Sequence, residues 1–167
     1  MAGPLSGYRI VDLSSMLTGP WATSILGDQG ADVIKVEVPG VGDHVRSVGN
    51  RSGGLSAAFL NINRSKRSIT LNLKTDEGKS VLKKLSATAD VFLQNFRPGV
   101  VKRLGIGEPD IREVSPGIVY VTIPRYSPSS DFQKNRLPSC VTAVRSVTKR
   151  TPWRGCEASA RQVFHDD

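Results

Sequence analysis

VFLQNFRPG, residues 91–99, is the stretch from which the fold of this chain can be worked out. Its apolar start followed by a Pro-Gly break predicts a short buried strand that stops abruptly. Asn95, Phe96 and Arg97 lie just beyond that strand, and ligands of open α/β sheets bind outside the carboxyl ends of the strands. An amide, a flat ring and a guanidinium at that place indicate a nucleotide-like ligand. A plain strand end followed by a solvated turn is the alternative.

Strand and helix patterns alternate on both sides of this stretch. Further strands are predicted at 9–13, 31–38, 68–73 and 118–123, and helices at 21–28, after Thr75, at 100–104 and at 109–114. Residues 40–56 are rich in glycine and serine and predict a long loop. Strands that alternate with helices predict an α/β fold with a Rossmann-like, doubly wound, mostly parallel sheet.

Composition narrows the classes of partner. The 167 residues carry a net charge of +8, which suits an anionic ligand, but the basic residues are scattered and do not interleave with aromatic ones. No apolar run approaches the roughly 20 residues that span a bilayer, and no signal peptide is visible. Cys140 and Cys156 form no metal-ligand pattern. We therefore expect a cytoplasmic protein without metal, nucleic acid or membrane as partner.

Four blocks of sequence occur in the order and spacing of a known family. They are PLSGYRIVDL at 4–13, LGDQGADVIKVE with PGVGD at 26–43, NRSKRSITLNLK at 63–74 and NFRPG at 95–99. Together they resemble the class III CoA-transferases, the CaiB/BaiF family. The resemblance covers residues 1–124 and implies the N-terminal part of that family's Rossmann-like large domain.

The resemblance also implies a reaction. Members of the family move CoA between carboxylic acids, so the implied substrates are an acyl-CoA and a small carboxylic acid. An aspartate forms a mixed anhydride with the acyl group, and a carboxyl–CoA thioester follows. Covalent steps of this kind divide one difficult transfer into easier ones. Full-length relatives form interlocked homodimers.

Ten positions match places where the family contacts coenzyme A. They are Leu17, Thr18, Leu71, Asn72, Leu73, Lys74, Asn95, Phe96, Arg97 and Arg103. Leu17 and Thr18 are implied to lie near the pantetheine. Residues 71–74 are implied to border the adenine, and residues 95–97 to form the loop that contacts coenzyme A. The last, Arg103, is implied to meet the phosphates. Val38 departs from the family, because some relatives place an arginine there against the nucleotide.

The resemblance fades after residue 124. Residues 125–167 are interpreted as a divergent tail, which a shifted reading frame or a real divergent C-terminus would both explain. The family's nucleophilic aspartate lies in a Gly-Asp motif, whereas Asp166 and Asp167 follow Phe164-His165 without a glycine. No catalytic residue is therefore assigned, and we expect this chain by itself to be inactive.

Two other functions fit the same residues. One is a 2-methylacyl-CoA racemase-like protein, which shares the implied fold, although the insert at 43–62 favours the transferase. The other is a non-catalytic CoA-binding remnant.

Overall fold

The computed structural model describes residues 3–123 and 145–147 of the chain. The strands are β1 (Arg9–Asp12), β2 (Asp32–Glu37), β3 (Arg51–Ser52), β4 (Leu55–Ser56), β5 (Lys66–Thr70), β6 (Val91–Gln94), β7 (Val119–Thr122) and β8 (Arg145–Val147). The helices are α1 (Thr18–Asp28), α2 (Ala57–Ile62), α3 (Asp76–Ser86), α4 (Val100–Leu104) and α5 (Glu108–Arg112), with a 3-10 turn at His44–Ser47.

The main sheet has the strand order β5-β2-β1-β6-β7-β8. The first five strands pair in parallel, and β8 joins antiparallel to β7. From β1 the chain builds outward first through β2 and β5 and later through β6 and β7, so the winding reverses between β1 and β6. The predicted doubly wound, mostly parallel α/β sheet is therefore confirmed. Of the predicted tail at 125–167, only β8 is described, and the remainder lies outside the described residues.

Helices cover both faces of this sheet. Helices α3, α4 and α5 pack over Val11, Phe92 and Tyr120, and the two aromatic rings stack with their centroids 5.1 Å apart. On the opposite face, α1 packs over Ile10 and Val33. Successive residues of a strand point to opposite faces, so each strand contributes to both halves of the core.

The predicted loop at 40–56 contains more structure than its composition suggests. The 3-10 turn and the small β3-β4 hairpin lie within it. They form because Val45 packs with Phe59 and Ile62 into a third, separate apolar cluster. A count of glycine and serine does not reveal that contact.

Strand β5 begins and ends earlier than the predicted strand at 68–73. Lys66 already pairs with Val33 in the ladder, and the strand ends at Thr70. The alternating apolar pattern does not predict this start because the first residue of the strand is a lysine. Its buried side chain is stabilised by an ion pair.

Candidate functional site

Nine of the ten predicted site residues follow the carboxyl ends of parallel strands. Leu17 and Thr18 come after β1, residues 71–74 after β5, and residues 95–97 after β6. The carboxyl ends of parallel strands share one edge, so these segments line the same side of the sheet. Three strand spacings separate β5 from β6, or about 14 Å at 4.7–4.9 Å per spacing. The segments thus suit an extended ligand.

The loop after β1 is held by side chains along its whole length. The Ser14 N–H donates to Asp12 Oδ1 at 2.9 Å, and the Ser14 carbonyl accepts from Lys35 Nζ at 2.8 Å. The Met16 N–H donates to Asp43 Oδ1 at 3.0 Å. Asp12, the last residue of β1, thereby caps the turn that follows the strand.

Asn95 connects this loop to the loop after β6. Its Oδ1 accepts the Ser15 N–H at 3.0 Å, and its Nδ2 donates to the Ser15 carbonyl at 2.8 Å. Both polar atoms of the carboxamide are thereby bonded to main chain. The two loops meet at the point where the winding of the sheet reverses, which is where ligands of doubly wound folds bind.

Two lysines are buried beneath this edge, each beside an aspartate. Lys35 Nζ lies 2.8 Å from Asp43 Oδ2, and Lys66 Nζ lies 3.1 Å from Asp12 Oδ2, with no more than 2% of any of these side chains exposed. Burial lowers the pKa of Lys66 to about 8, although the charge of Asp12 opposes the shift. Buried ammonium groups require such partners because isolated charges are very costly to desolvate.

Glu37, the last residue of β2, organises the next loop. Its carboxylate accepts two bonds of 2.7 Å from Arg46, one of 2.7 Å from Ser68 and one of 2.9 Å from the Asp43 N–H. Burial alone would raise its pKa, but these hydrogen bonds outweigh burial and lower the pKa to about 2. The Arg46 guanidinium also stacks over the Phe59 ring at 3.7 Å. A carboxylate that stays ionised therefore anchors the loop containing Asp43.

The loop after β6 contains a half-buried ring, Phe96, followed by an exposed guanidinium, Arg97. The Phe96 N–H donates to Gln94 Oε1 at 2.8 Å, and Gln94 in turn donates to Thr122 at 2.9 Å. The Phe96 ring is half-buried against the larger core cluster. Arg97 is exposed, and no ion pair or hydrogen bond of its side chain is found among the described residues. Its charge is available to a ligand.

The side chains of residues 71–74, after β5, point alternately to the core and to the surface. Leu71 and Leu73 pack against the core, while Asn72 and Lys74 are exposed. The Asn72 carboxamide accepts the Lys74 N–H at 3.1 Å, which tightens the turn before α3. The two polar residues are thus the ones of this segment that a ligand at the edge can reach.

Arg103 is set apart from the other nine residues. It lies on α4 and lines an open groove of about 620 Å³ between α3 and α4, which none of the other nine lines. Four further cations line that groove: Lys79, Lys83, Lys84 and Lys102. Gly99, the residue before α4, has φ of 82° in the left-handed region, and this turn sets the direction of the helix after the loop.

Sequence reasoning missed the buried charges that shape the edge. It did not single out Lys35, Glu37, Asp43 or Lys66, the last of which lies between Arg64 and Arg67 in the sequence. The structure pairs those two arginines with Asp28 and Asp32 at the surface. The available signal was a lysine inside the apolar run VIKV at 33–36, since such a lysine is buried only with a partner.

No helix within residues 3–123 and 145–147 is long and apolar enough to cross a membrane. The same residues contain no cluster of histidine, cysteine and carboxylate side chains that could hold a metal ion.

A family model described as CoA-transferase family III matches residues 5–148. The match thus continues past residue 124, the predicted end of the resemblance. It covers most of the chain, and the chain belongs to this family.

Individual relatives agree. The chain is 40% identical over 150 residues to human succinyl-CoA:glutarate CoA-transferase, covering 87% of this chain and 34% of that protein. It is 41% identical over 120 residues to acetyl-CoA:oxalate CoA-transferase of Acetobacter aceti, covering 72% of this chain and 31% of that protein. The chain therefore spans about a third of the length of the curated relatives it matches.

Solved structures show the same architecture. A CAIB/BAIF family protein from Brucella suis aligns with a TM-score of 0.74 at 35% identity, covering 81% of this chain and 37% of that one. The orthorhombic form of Rv3272 from Mycobacterium tuberculosis aligns with a TM-score of 0.72 at 39% identity, covering 77% and 36%. The described residues thus have the CaiB/BaiF fold.

Proposed function

We propose that this chain is the coenzyme A-binding part of an enzyme that moves CoA between carboxylic acids. The observation that carries the proposal is the alignment of nine family-matched residues along one sheet edge, at the reversal between β1 and β6. The edge offers an exposed Arg97, half-buried Phe96 and a fixed main chain before Leu17. Those features suit a long ligand with an anionic nucleotide at one end.

The length of the edge supports an extended ligand. The adenine end would lie near residues 71–74, and the pantetheine near Leu17 and Thr18, about two strand spacings or 10 Å away. Arg97 would meet a phosphate, since a guanidinium without an internal partner gains most from a charge-assisted bond. Arg103 would reach the phosphates only from the neighbouring groove.

The reaction belongs to the complete enzyme. We propose an aspartyl anhydride followed by a carboxyl–CoA thioester, with an acyl-CoA and a small carboxylic acid as substrates. The names of the relatives include succinyl, glutarate, oxalate and malate groups, which favours dicarboxylic acids. An interlocked homodimer in the cytoplasm completes the proposal.

This chain alone is proposed to bind CoA without turnover. None of its residues matches the family's nucleophilic aspartate in its glycine-containing motif. A mixture of the purified chain, succinyl-CoA and glutarate should therefore form no glutaryl-CoA by mass spectrometry. Glutaryl-CoA formed in proportion to the chain would show that the nucleophile is present.

The division of the chain is part of the proposal. We propose that residues 1–124 form the N-terminal part of the large domain and that the reading frame shifts within residues 125–167, although the family model matches through residue 148. Sequencing the gene tests this, because family-like sequence should then appear in another frame. An undisturbed frame with no such sequence in the others would leave a real divergent C-terminus.

Binding is tested by calorimetry on the full chain. CoA should bind, and pantetheine, which lacks the nucleotide, should bind much more weakly. Arg97→Gln should weaken CoA binding by about tenfold or more, since a hydrogen bond to a charged group is worth about 1.5–3 kcal/mol. Absence of CoA binding by a chain with native circular dichroism would refute the proposal.

A further inference from the structure

The carboxamide of Asn95 pairs with both main-chain polar groups of one residue in the opposite loop, Ser15. Its oxygen accepts from the Ser15 N–H and its nitrogen donates to the Ser15 carbonyl, at 3.0 and 2.8 Å. The two residues are 80 positions apart in sequence. Only a side chain with one acceptor and one donor side by side can make both bonds.

The residues on either side of Ser15 are fixed as well. Asp12 accepts a hydrogen bond from the Ser14 N–H, and Lys35 donates one to the Ser14 carbonyl. Asp43 accepts the N–H of Met16. Three consecutive residues are therefore bonded to side chains from four separate segments of the chain.

The main chain needs this support. Met16 has φ of 70°, in the left-handed region that side-chain-bearing residues seldom adopt. Such a conformation persists only where surrounding contacts determine it, and it is typical of ligand sites. Leu17, which follows directly, is 48% exposed and immediately precedes α1.

We propose that Asn95 is a positioning residue, which acts through Ser15 rather than by contact with the ligand. The proposal rests on CoA binding at this edge, as proposed above. By holding the main chain of Ser15 at its N–H and its carbonyl, Asn95 keeps the Leu17–Thr18 main chain and the Phe96–Arg97 loop in one fixed wall. This differs from the direct contact that the family resemblance implies for Asn95. Without the carboxamide, the N–H and the carbonyl of Ser15 turn to water, and the wall loses its shape before any ligand arrives.

Substitution by aspartate separates the two roles. An ionised carboxylate only accepts hydrogen bonds, so it can bond the Ser15 N–H but faces the Ser15 carbonyl without a donor. A protonated carboxyl has an acceptor and an O–H donor, so it can restore both bonds. Asn95→Asp should therefore be defective at high pH and recover at low pH.

Other charges near this loop are common to the variant and the wild type. Asp12, Lys35 and Asp43 contact the loop directly, Lys66 faces Asp12, and Arg97 lies two residues from Asn95. Dividing the affinity of the variant by that of the wild type at each pH therefore removes their contribution, and that of the CoA phosphates. Asn50→Asp, an exposed asparagine changed in the same way, is the matched control.

The experiment measures CoA affinity of the full chain by calorimetry at pH 8 and pH 4.5, together with exchange of the Ser15 amide hydrogen by NMR. Asn95→Ala should lose about tenfold or more in affinity at both pH values, with faster Ser15 exchange in the absence of CoA. Asn95→Asp should lose at least as much at pH 8 and regain about twofold or more, relative to wild type, at pH 4.5, where an aspartate of ordinary pKa is about one-fifth protonated. Asn50→Asp should match wild type throughout.

Several results would overturn the inference. Wild-type affinity in Asn95→Ala would show that the carboxamide positions nothing. Lost affinity in Asn95→Ala with the Ser15 amide as protected as in wild type, or an equal loss in Asn95→Asp at both pH values, would show direct contact with the ligand instead. If Asn95→Ala does not fold, the two pH values of Asn95→Asp decide alone. Absence of CoA binding by the wild type refutes the proposed function, whereas binding by wild type and Asn95→Ala alike refutes only the role of Asn95.

Discussion

The carboxyl edge of the sheet and the groove between α3 and α4 each hold a predicted phosphate-binding arginine, but they are built differently. At the edge, charges are buried in pairs, such as Lys35 with Asp43. In the groove, cations lie at the surface, where Lys79 and Lys83 meet exposed carboxylates at 3.0 and 3.4 Å. Of the described residues, Lys84, Lys102 and Arg103 have no partner in this groove.

The two regions illustrate two ways in which a protein can bind an anion. Buried pairs fix main-chain geometry, and removal of one partner leaves an uncompensated charge. Surface cations supply a screened attraction that depends little on geometry. We therefore expect substitutions at the edge to act on stability and shape, and substitutions in the groove to act on weak, salt-sensitive attraction.

The largest expected effect is loss of a buried ammonium. Lys35→Met leaves the buried Asp43 carboxylate unpaired and removes the donor to the Ser14 carbonyl. We expect a loss of about 3–5 kcal/mol in the free energy of unfolding, measured by urea denaturation. Lys84→Met, in the exposed groove, should change it by less than about 0.5 kcal/mol. A cost below about 1 kcal/mol for Lys35→Met would contradict the contrast.

Acid should weaken the edge through Glu37. The folded-state pKa of about 2 lies below the unfolded value of 4.5, so this carboxylate stabilises the fold above pH 4.5. That contribution disappears as the pH falls through about 2, and it is on the order of 2 kcal/mol. Urea midpoints between pH 5 and pH 2 should fall less steeply for Glu37→Gln than for wild type. Parallel curves would show that Glu37 is not preferentially ionised in the fold.

Arg97 gives the next effect, on binding rather than stability. Arg97→Gln should weaken CoA by about tenfold or more, whereas Lys84→Gln should change the affinity by about twofold or less. Both remove one exposed positive charge, so the pair controls for net charge. Equal losses in the two variants would mean that general attraction, and not the edge, binds the nucleotide.

The smallest effect is expected at Arg103. Arg103→Gln should weaken CoA by about twofold to fivefold at low salt, and the difference from wild type should shrink as KCl is raised. Calorimetry at two salt concentrations measures it. A large loss that persists at high salt would show that Arg103 makes a close phosphate contact after all.

The sequence predicted the sheet well because short apolar strands, helix caps and Pro-Gly breaks are local signals. Thr75 caps α3 as its side chain suggests, bonding the Gly78 N–H at 3.2 Å. The pairing of Lys35 with Asp43 could not be predicted in the same way, because the loop path that joins them is set by packing of Val45. The role of Asn95 depends on a partner 80 residues away.

The direction of α4 shows the same limit. The Pro-Gly break correctly predicted that the strand stops, and α4 matches the helix predicted at 100–104. The break could not tell that a left-handed Gly99 sends Arg103 into a groove lined by α3 lysines instead of the edge lined by Arg97. Local signals fixed the order of elements, and tertiary contacts decided which side chains meet.

The central claim, that the carboxyl edge binds coenzyme A, is tested most directly by NMR titration of the full chain with CoA. The account predicts amide shift changes in residues 15–18, 71–74 and 95–97, with smaller changes in the α3–α4 groove. Changes confined to residues of that groove, such as Lys84 and Lys102, or an unchanged spectrum at saturating CoA, would contradict it.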